Sequence, residues 1–240
     1  MDLVERVRPH ELEHGALGVE AYRDMGFLPE AMRNYLLRLG WSHGDDEIIG
    51  TEQAIEWFDL SAVGRSPARF DMAKLESLNA HYIREAEDDR LVELIGPMIE
   101  GAHDISLDAT GREHLKKGLE GLKPRAKTLI ELSENAAFYV VRPQFPLANA
   151  KAAKLLKQDS LPVLVGASDR LAGSERWTAE AIETVLRGFA EQEGIGFGKV
   201  AQPLRAALTG SNASPGIFEV MEILGQTETL ERLRAVPEAS

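Results

Sequence analysis

The sequence predicts an all-α protein, and three observations carry that prediction. Apolar residues recur at helical spacing in most segments. Runs that read as strands are few and short. Nowhere do such runs alternate with helical segments in the way a parallel sheet requires.

Taken in order, "LPEAMRNYLLRLGW" (28–41) places Pro29 in a first helical turn, Met32, Tyr35, Leu36 and Leu39 on one face, and Gly40 at the stop. Helices are next expected over "MAKLESLNAHYIREA" (72–86) and "GREHLKKGLEGLKPRAKTLIELSENAAFY" (111–139). Between them, "EAEDDRLVELIG" (85–96) reads as a solvated helix face entered through an acidic break at Glu85–Asp89. Further helical segments are "ANAKAAKLLKQ" (148–158), "PGIFEVMEILG" (215–225) and "TETLERLRAV" (227–236). In "TAEAIETVLRGFAEQEG" (178–194), Ala181, Ile182, Val185, Leu186 and Phe189 share a face, Thr178 is placed as the N-cap and Gly194 as the left-handed stop. Strand candidates are "LPVLVGAS" (161–168) and "FYVVRP" (138–143), the latter running into the prolines of a second break at Arg142–Pro146.

With 240 residues, 44% of them hydrophobic, the chain can bury a core as one domain or as two or three small ones. It contains no cysteine, which excludes disulfides, thiolate zinc sites and cysteine nucleophiles and fits a reducing compartment. No apolar run approaches the roughly 20 residues that span a bilayer, and the N-terminus lacks a signal-peptide core, so a cytoplasmic protein without a membrane partner is expected. The net charge of −12 argues against a broadly basic nucleic-acid surface and against DNA as a partner. That charge is uneven. Residues 141–240 hold 11 Lys and Arg against 12 Asp and Glu, so nearly all the excess lies earlier. A nucleic-acid surface is therefore expected towards the C-terminal half, built from a few placed arginines.

Near the N-terminus, His10-Glu11-Leu12-Glu13-His14 matches H-E-x-x-H, which on a helix sets two imidazoles one turn apart beside a general base. The frame is poor. Pro9 and Gly15 leave room for little more than one turn, and the extended motif would need Gly and His where Leu17 and Glu20 stand. A zinc-dependent hydrolase using His10, Glu11 and His14 is kept as an alternative to a solvated N-terminal turn. His43, His81, His103 and His114 show no spacing that converges on a ligand set, and Trp41, Trp57 and Trp177 sit beside apolar helical segments as expected core residues.

The segment "HGALGVEAYRDMGFLPEAMRNYLLRLGWSHGDDEI" (14–48) resembles bacterial glutamyl-tRNA synthetases just after their catalytic signature loop. The likeness continues through "FDLSAVGRSPARFDMAKLESLNAHYIR", "KPRAKTLIEL", "RWTAEAIETVLRGFAEQEGI" and "GKVAQPLRAALTGSNASPGIFEVMEILG", in the family's order and spacing, from about Glu13 to Val236. The family's nucleotide-binding Rossmann half has no counterpart here, and Pro9, His10, Glu11, Leu12 and Glu13 stand where its lysine-bearing loop would be. Acidic side chains there would repel a triphosphate. The resemblance therefore implies the tRNA-binding C-terminal half of a synthetase, without cofactor and without activity of its own. A protein-interaction scaffold of synthetase descent is a further alternative.

The resemblance also implies an elongated helical molecule. Residues 1–90 would form a stem-contact region, with anticodon-binding helical domains at 91–141 and 142–240. Its partners would be glutamate tRNA and a separate catalytic domain or chain, with apolar surface exposed in the first region where that domain packs. Arg125 matches the arginine that reads the last anticodon base, for which a planar guanidinium that both stacks and hydrogen-bonds is suited. Lys123 and Lys127 flank it as phosphate contacts. Arg205 matches a second residue near the anticodon, and Ser214, Pro215 and Ile217 match positions around its first base. Read on its own, Ser214 is a candidate N-cap and Pro215 a candidate first helical residue, which would aim backbone N–H groups at an anion or base edge.

Overall fold

The apolar periodicity of the sequence is realised as helices throughout. A computed structural model describes residues 18–64 and 69–236. In chain order the helices among them are α1 (Val19–Asp24), α2 (Pro29–Gly40), α3 (Thr51–Trp57), α4 (Met72–Glu85), α5 (Asp88–His103), α6 (Ala109–Leu122) and α7 (Leu129–Ala136). There follow α8 (Ala150–Ala153), α9 (Leu161–Ala172), α10 (Ala179–Gln192), α11 (Gly198–Thr209), α12 (Ile217–Leu224) and α13 (Gln226–Arg234). No strand occurs among the described residues. They fall into two units, one within Met1–Met98 plus Lys123–Glu134, the other within Ile99–Leu122 plus Asn135–Ser240.

In the first unit, Pro29 occupies the first turn of α2, where a missing N–H costs nothing, and Ala31, Met32 and Tyr35 follow on the buried face. Asp71 caps α4 by accepting from the Lys74 backbone N–H at 3.2 Å, and Leu75, Leu78, Asn79 and Ile83 face inward. Helices α2 and α4 pack together. The Tyr35 hydroxyl accepts from the Asp71 N–H at 2.5 Å, and its ring meets Phe70 edge-on at 5.0 Å. Helix α3 differs, for none of its residues is buried and Ile55 is 76% exposed.

The second unit is built on closer packing. Helix α9 packs against α10, α11 and α13, and α12 against α6, α10 and α13. The Thr178 hydroxyl caps α10 by accepting from the Ala181 N–H at 3.3 Å, and Gly194 takes φ +64° just beyond its end, as the sequence predicts. Residues 161–168 are the first two turns of α9, not a strand. The physical reason is that Leu164, Ala167 and Leu171 are buried at helical spacing, and a short apolar run does not distinguish strand from core helix. Residues 138–143 likewise hold a 3-10 turn, Ala137–Tyr139, and no strand. Helix α11 is not among the helices the apolar pattern marks, and it holds Pro203 in its interior; the burial of Val200, Leu204 and Leu208 outweighs the lost backbone hydrogen bond. The long helix expected over 111–139 is interrupted by a 3-10 turn at Lys123–Arg125, where Pro124 stands. Trp41 is buried as expected; Trp57 and Trp177 are half-buried, and the Trp177 indole donates to the Met221 carbonyl at 2.8 Å.

Arg232 fastens α13 in this unit. It is 3% exposed and donates to the Phe138 and Leu208 carbonyls at 2.6 and 2.8 Å and to the Glu228 carboxylate at 2.6 Å. Burial raises the Glu228 carboxyl, but hydrogen bonds from Arg142 and Arg232 outweigh it and hold the group below the usual carboxylate range.

Candidate nucleic-acid interface

Each residue implied by the resemblance is set by its own unit. In the first, the chain leaves the turn Lys123–Arg125 and is held at once by a buried asparagine. Asn79 accepts from the Leu28 N–H at 2.7 Å and donates to the Lys127 carbonyl at 2.6 Å and the Gly26 carbonyl at 3.4 Å. The Leu129 N–H also reaches the Gly26 carbonyl, at 2.9 Å. Gly26 has φ +84°, and a Cβ there would lie 2.9 Å from the Leu129 and Ile130 nitrogens, so only glycine lets the chain after Arg125 dock here. All four backbone groups are thereby satisfied in the interior, which fixes the base of the turn.

On this fixed turn the three cations differ. Arg125 is exposed and makes no hydrogen bond or ion pair with the described residues. Its guanidinium is available to a ligand. Lys123 is not. Its ammonium donates to the Ala86 carbonyl at 2.6 Å and lies 2.5 Å from the Asp88 carboxylate, with the side chain 15% exposed. Lys123, expected as a phosphate contact, here joins the turn to the α4–α5 junction. Lys127 is exposed and pairs with Glu76 at 3.1 Å, a surface pair that an incoming phosphate can exchange at little cost.

In the second unit, one guanidinium nitrogen of Arg205 donates to the Ser214 carbonyl at 3.0 Å, to the Pro215 carbonyl at 2.8 Å and to the Ser214 hydroxyl. That hydroxyl donates in turn to the Pro215 carbonyl at 2.8 Å. Ser214, Pro215 and Ile217 are all buried, and the structure brings Ser214 and Pro215 together with Arg205 as one clamped loop. The capping expectation is corrected. Helix α12 begins at Ile217 behind Gly216, without a side-chain cap, because Ser214 faces Arg205. Nor is the helix start an open anion site, since the Glu219 carboxylate folds over Gly216 and would overlap a Cβ there.

A further group escaped sequence reasoning. In the first unit, Arg38, Arg69, Lys74, His81 and Arg84 line a cavity of about 550 Å³ with Glu47 as its one carboxylate. Arg38 is paired with Glu47 at 3.3 Å, whereas the side chains of Arg69, Lys74 and Arg84 have no ion-pair partner among the described residues. Lys74, His81 and Arg84 recur at seven and three residues along α4, which puts them on one helix face. That spacing was the available signal, and the acidic total of the segment hid it. His10, Glu11 and His14 lie outside the described residues, and among the described residues no three His, Asp or Glu side chains group as metal ligands. No described helix is long and apolar enough to cross a membrane.

Residues 90–237 match the family described as anticodon binding domain, and residues 14–77 match the catalytic domain of tRNA synthetases class I (E and Q). Glutamate–tRNA ligase 2 of Rhodospirillum rubrum is 58% identical over 222 residues, which is 92% of this chain and 47% of that protein. Its counterpart in Rhodospirillum centenum is 56% identical over 223 residues, with the same shares. The chain thus spans about half the length of the curated relatives it matches. Among solved structures, a glutamate tRNA ligase from Elizabethkingia meningosepticum, in complex with its amino acid, superposes with a TM-score of 0.76 at 26% identity, over 90% of this chain and 42% of that one. The glutamate-tRNA synthetase of Elizabethkingia anophelis gives 0.73 at 27% identity, over 91% and 42%. With more than half its length matched, the chain belongs to the anticodon binding domain family, in the form that glutamate–tRNA ligases carry.

Proposed function

We propose that this chain binds the anticodon arm of glutamate tRNA and so supports glutamyl-tRNA formation in a protein of the length of its relatives. The observation that carries the reading is Arg125, an exposed guanidinium without a partner among the described residues, held on a buttressed turn inside the matched 90–237 segment. A planar donor fork on a rigid base can stack on an unstacked base and hydrogen-bond its edge, which a flexible lysine does less selectively. Arg125 reads the last anticodon base, and the loop at Ser214, Pro215 and Ile217, clamped by Arg205, packs around the first. Lys127 meets phosphate, and the cationic cavity of the first unit takes backbone phosphates outside the anticodon.

Residues 1–90 act in this reading as a stem-contact region, with 91–141 and 142–240 as the anticodon-binding parts. Binding needs no cofactor, and aminoacylation requires the catalytic domain, in the same chain or a partner. A cytoplasmic location belongs to the same proposal.

Fluorescence anisotropy with glutamate tRNA, wild type against Arg125→Ala, tests it. Affinity should fall steeply with salt, and the substitution should weaken binding about tenfold or more, as expected for loss of one base contact. Absence of binding at low salt would sink the proposal.

A further inference from the structure

Helix α6 meets the Ser214–Gly216 loop at a glycine. A Cβ at Gly121 would lie 2.7 Å from the Pro215 Cβ and 3.0 Å from its Cγ, about 0.8 Å short of ordinary carbon–carbon contact at the nearer atom. One turn earlier, Gly118 faces the Tyr139 ring even more tightly. The backbone of α6 therefore touches the proline ring directly. From another direction, the Arg205 guanidinium gathers the Ser214 and Pro215 carbonyls onto one nitrogen. The loop is thus bounded by the α6 backbone and by a hydrogen-bonded clamp from α11, and neither boundary yields cheaply.

We propose that Gly121 is a positioning residue for recognition of the first anticodon base. By admitting the Pro215 ring against α6, it sets where the loop stands, and Arg205 holds it there. The inference rests on the proposed role of this loop in meeting that base. Gly121 itself touches no RNA; it acts through Pro215. A methyl group at 121 would have to push the ring by most of an ångström, against three hydrogen bonds from Arg205.

The test uses RNA hairpins of the glutamate tRNA anticodon arm, cognate, changed at the first anticodon base, or changed at the last. Two affinity ratios are read for the full chain, one for each changed base. Gly121→Ala should lower the first-base ratio about tenfold, the scale of one base contact, and leave unchanged both the last-base ratio, which depends on Arg125, and the salt slope. Gly101→Ala is the control, since a Cβ there meets nothing within 4 Å. In a Pro215→Gly background, adding Gly121→Ala should change neither ratio, as a double-mutant cycle requires if the two residues act as one.

An unchanged first-base ratio in Gly121→Ala, or equal loss of both ratios, would overturn the inference. If Gly121→Ala fails to fold, restoration of folding by Pro215→Gly supports it and failure to restore overturns it. A wild-type protein indifferent to the first base overturns the reading of the loop and this inference with it. Wild-type discrimination that survives Gly121→Ala overturns this inference alone.

Discussion

The first unit carries most of the chain's negative charge yet leaves cations without partners, whereas the second unit, with a net charge of −3, ties key arginines to its own acceptors. Arg69, Lys74, Arg84 and Arg125 stand in the first without ion-pair partners among the described residues. In the second, Arg142 and Arg232 hold Glu228, and Arg205 holds the Ser214 loop. Apolar side chains show the same contrast. Of nine large apolar residues exposed in the described chain, eight, Leu60 at 80% among them, belong to the first unit. The second unit buries its own and can use arginine as a buried donor because several carbonyls and a carboxylate converge on it. Net charge by segment therefore says little about where a polyanion can bind. What matters is which cations lack a protein partner.

The contrast can be broken most strongly at Arg232. Arg232→Ala should destabilise the second unit by about 3–5 kcal/mol, because two buried carbonyls lose their donor and the half-buried Glu228 carboxylate keeps only Arg142. Hydrogen exchange, which reports regional opening, should show the loss in α11 and α13 while α2 and α4 keep their protection. Equal loss in both units would show that they share one cooperative transition.

Asn79→Ala probes the first unit in the same way and should cost about 2–3 kcal/mol through the orphaned Leu28 N–H and Lys127 carbonyl. It should also weaken RNA binding through Arg125 at temperatures well below unfolding, measured by anisotropy. Full affinity in a folded Asn79→Ala protein would show that the turn needs no buttress. The smallest effect is expected at Leu60, where Leu60→Ser should change stability by no more than about 0.5 kcal/mol in chemical denaturation. A cost of several times that would mean that this exposed apolar face is covered in solution.

Much of the fold was legible in the sequence because burial imposes a period. Helices α2, α4, α10 and α13 follow from apolar spacing with caps and stops at the ends. Segments 161–168 and 198–209 are less legible, since a short apolar run is ambiguous between strand and core helix, and Pro203 is tolerated only because the buried face around it outweighs one missing hydrogen bond. Ser214 is an instructive case. Its position ahead of an apolar helix suggests a cap, but Arg205, nine residues earlier in the chain, supplies a stronger partner for it than the α12 backbone.

By itself the sequence determined the helical class, the absence of thiol chemistry and the residue types around Arg125 and Arg205, since these depend on composition and local spacing alone. Only the tertiary structure decided which cations are free. Lys123 and Arg125 are two residues apart in one turn, and one is bonded to the Ala86 carbonyl while the other is open to solvent. A cation's availability depends on which acceptors the fold brings within hydrogen-bonding reach, and those lie tens of residues away in the chain.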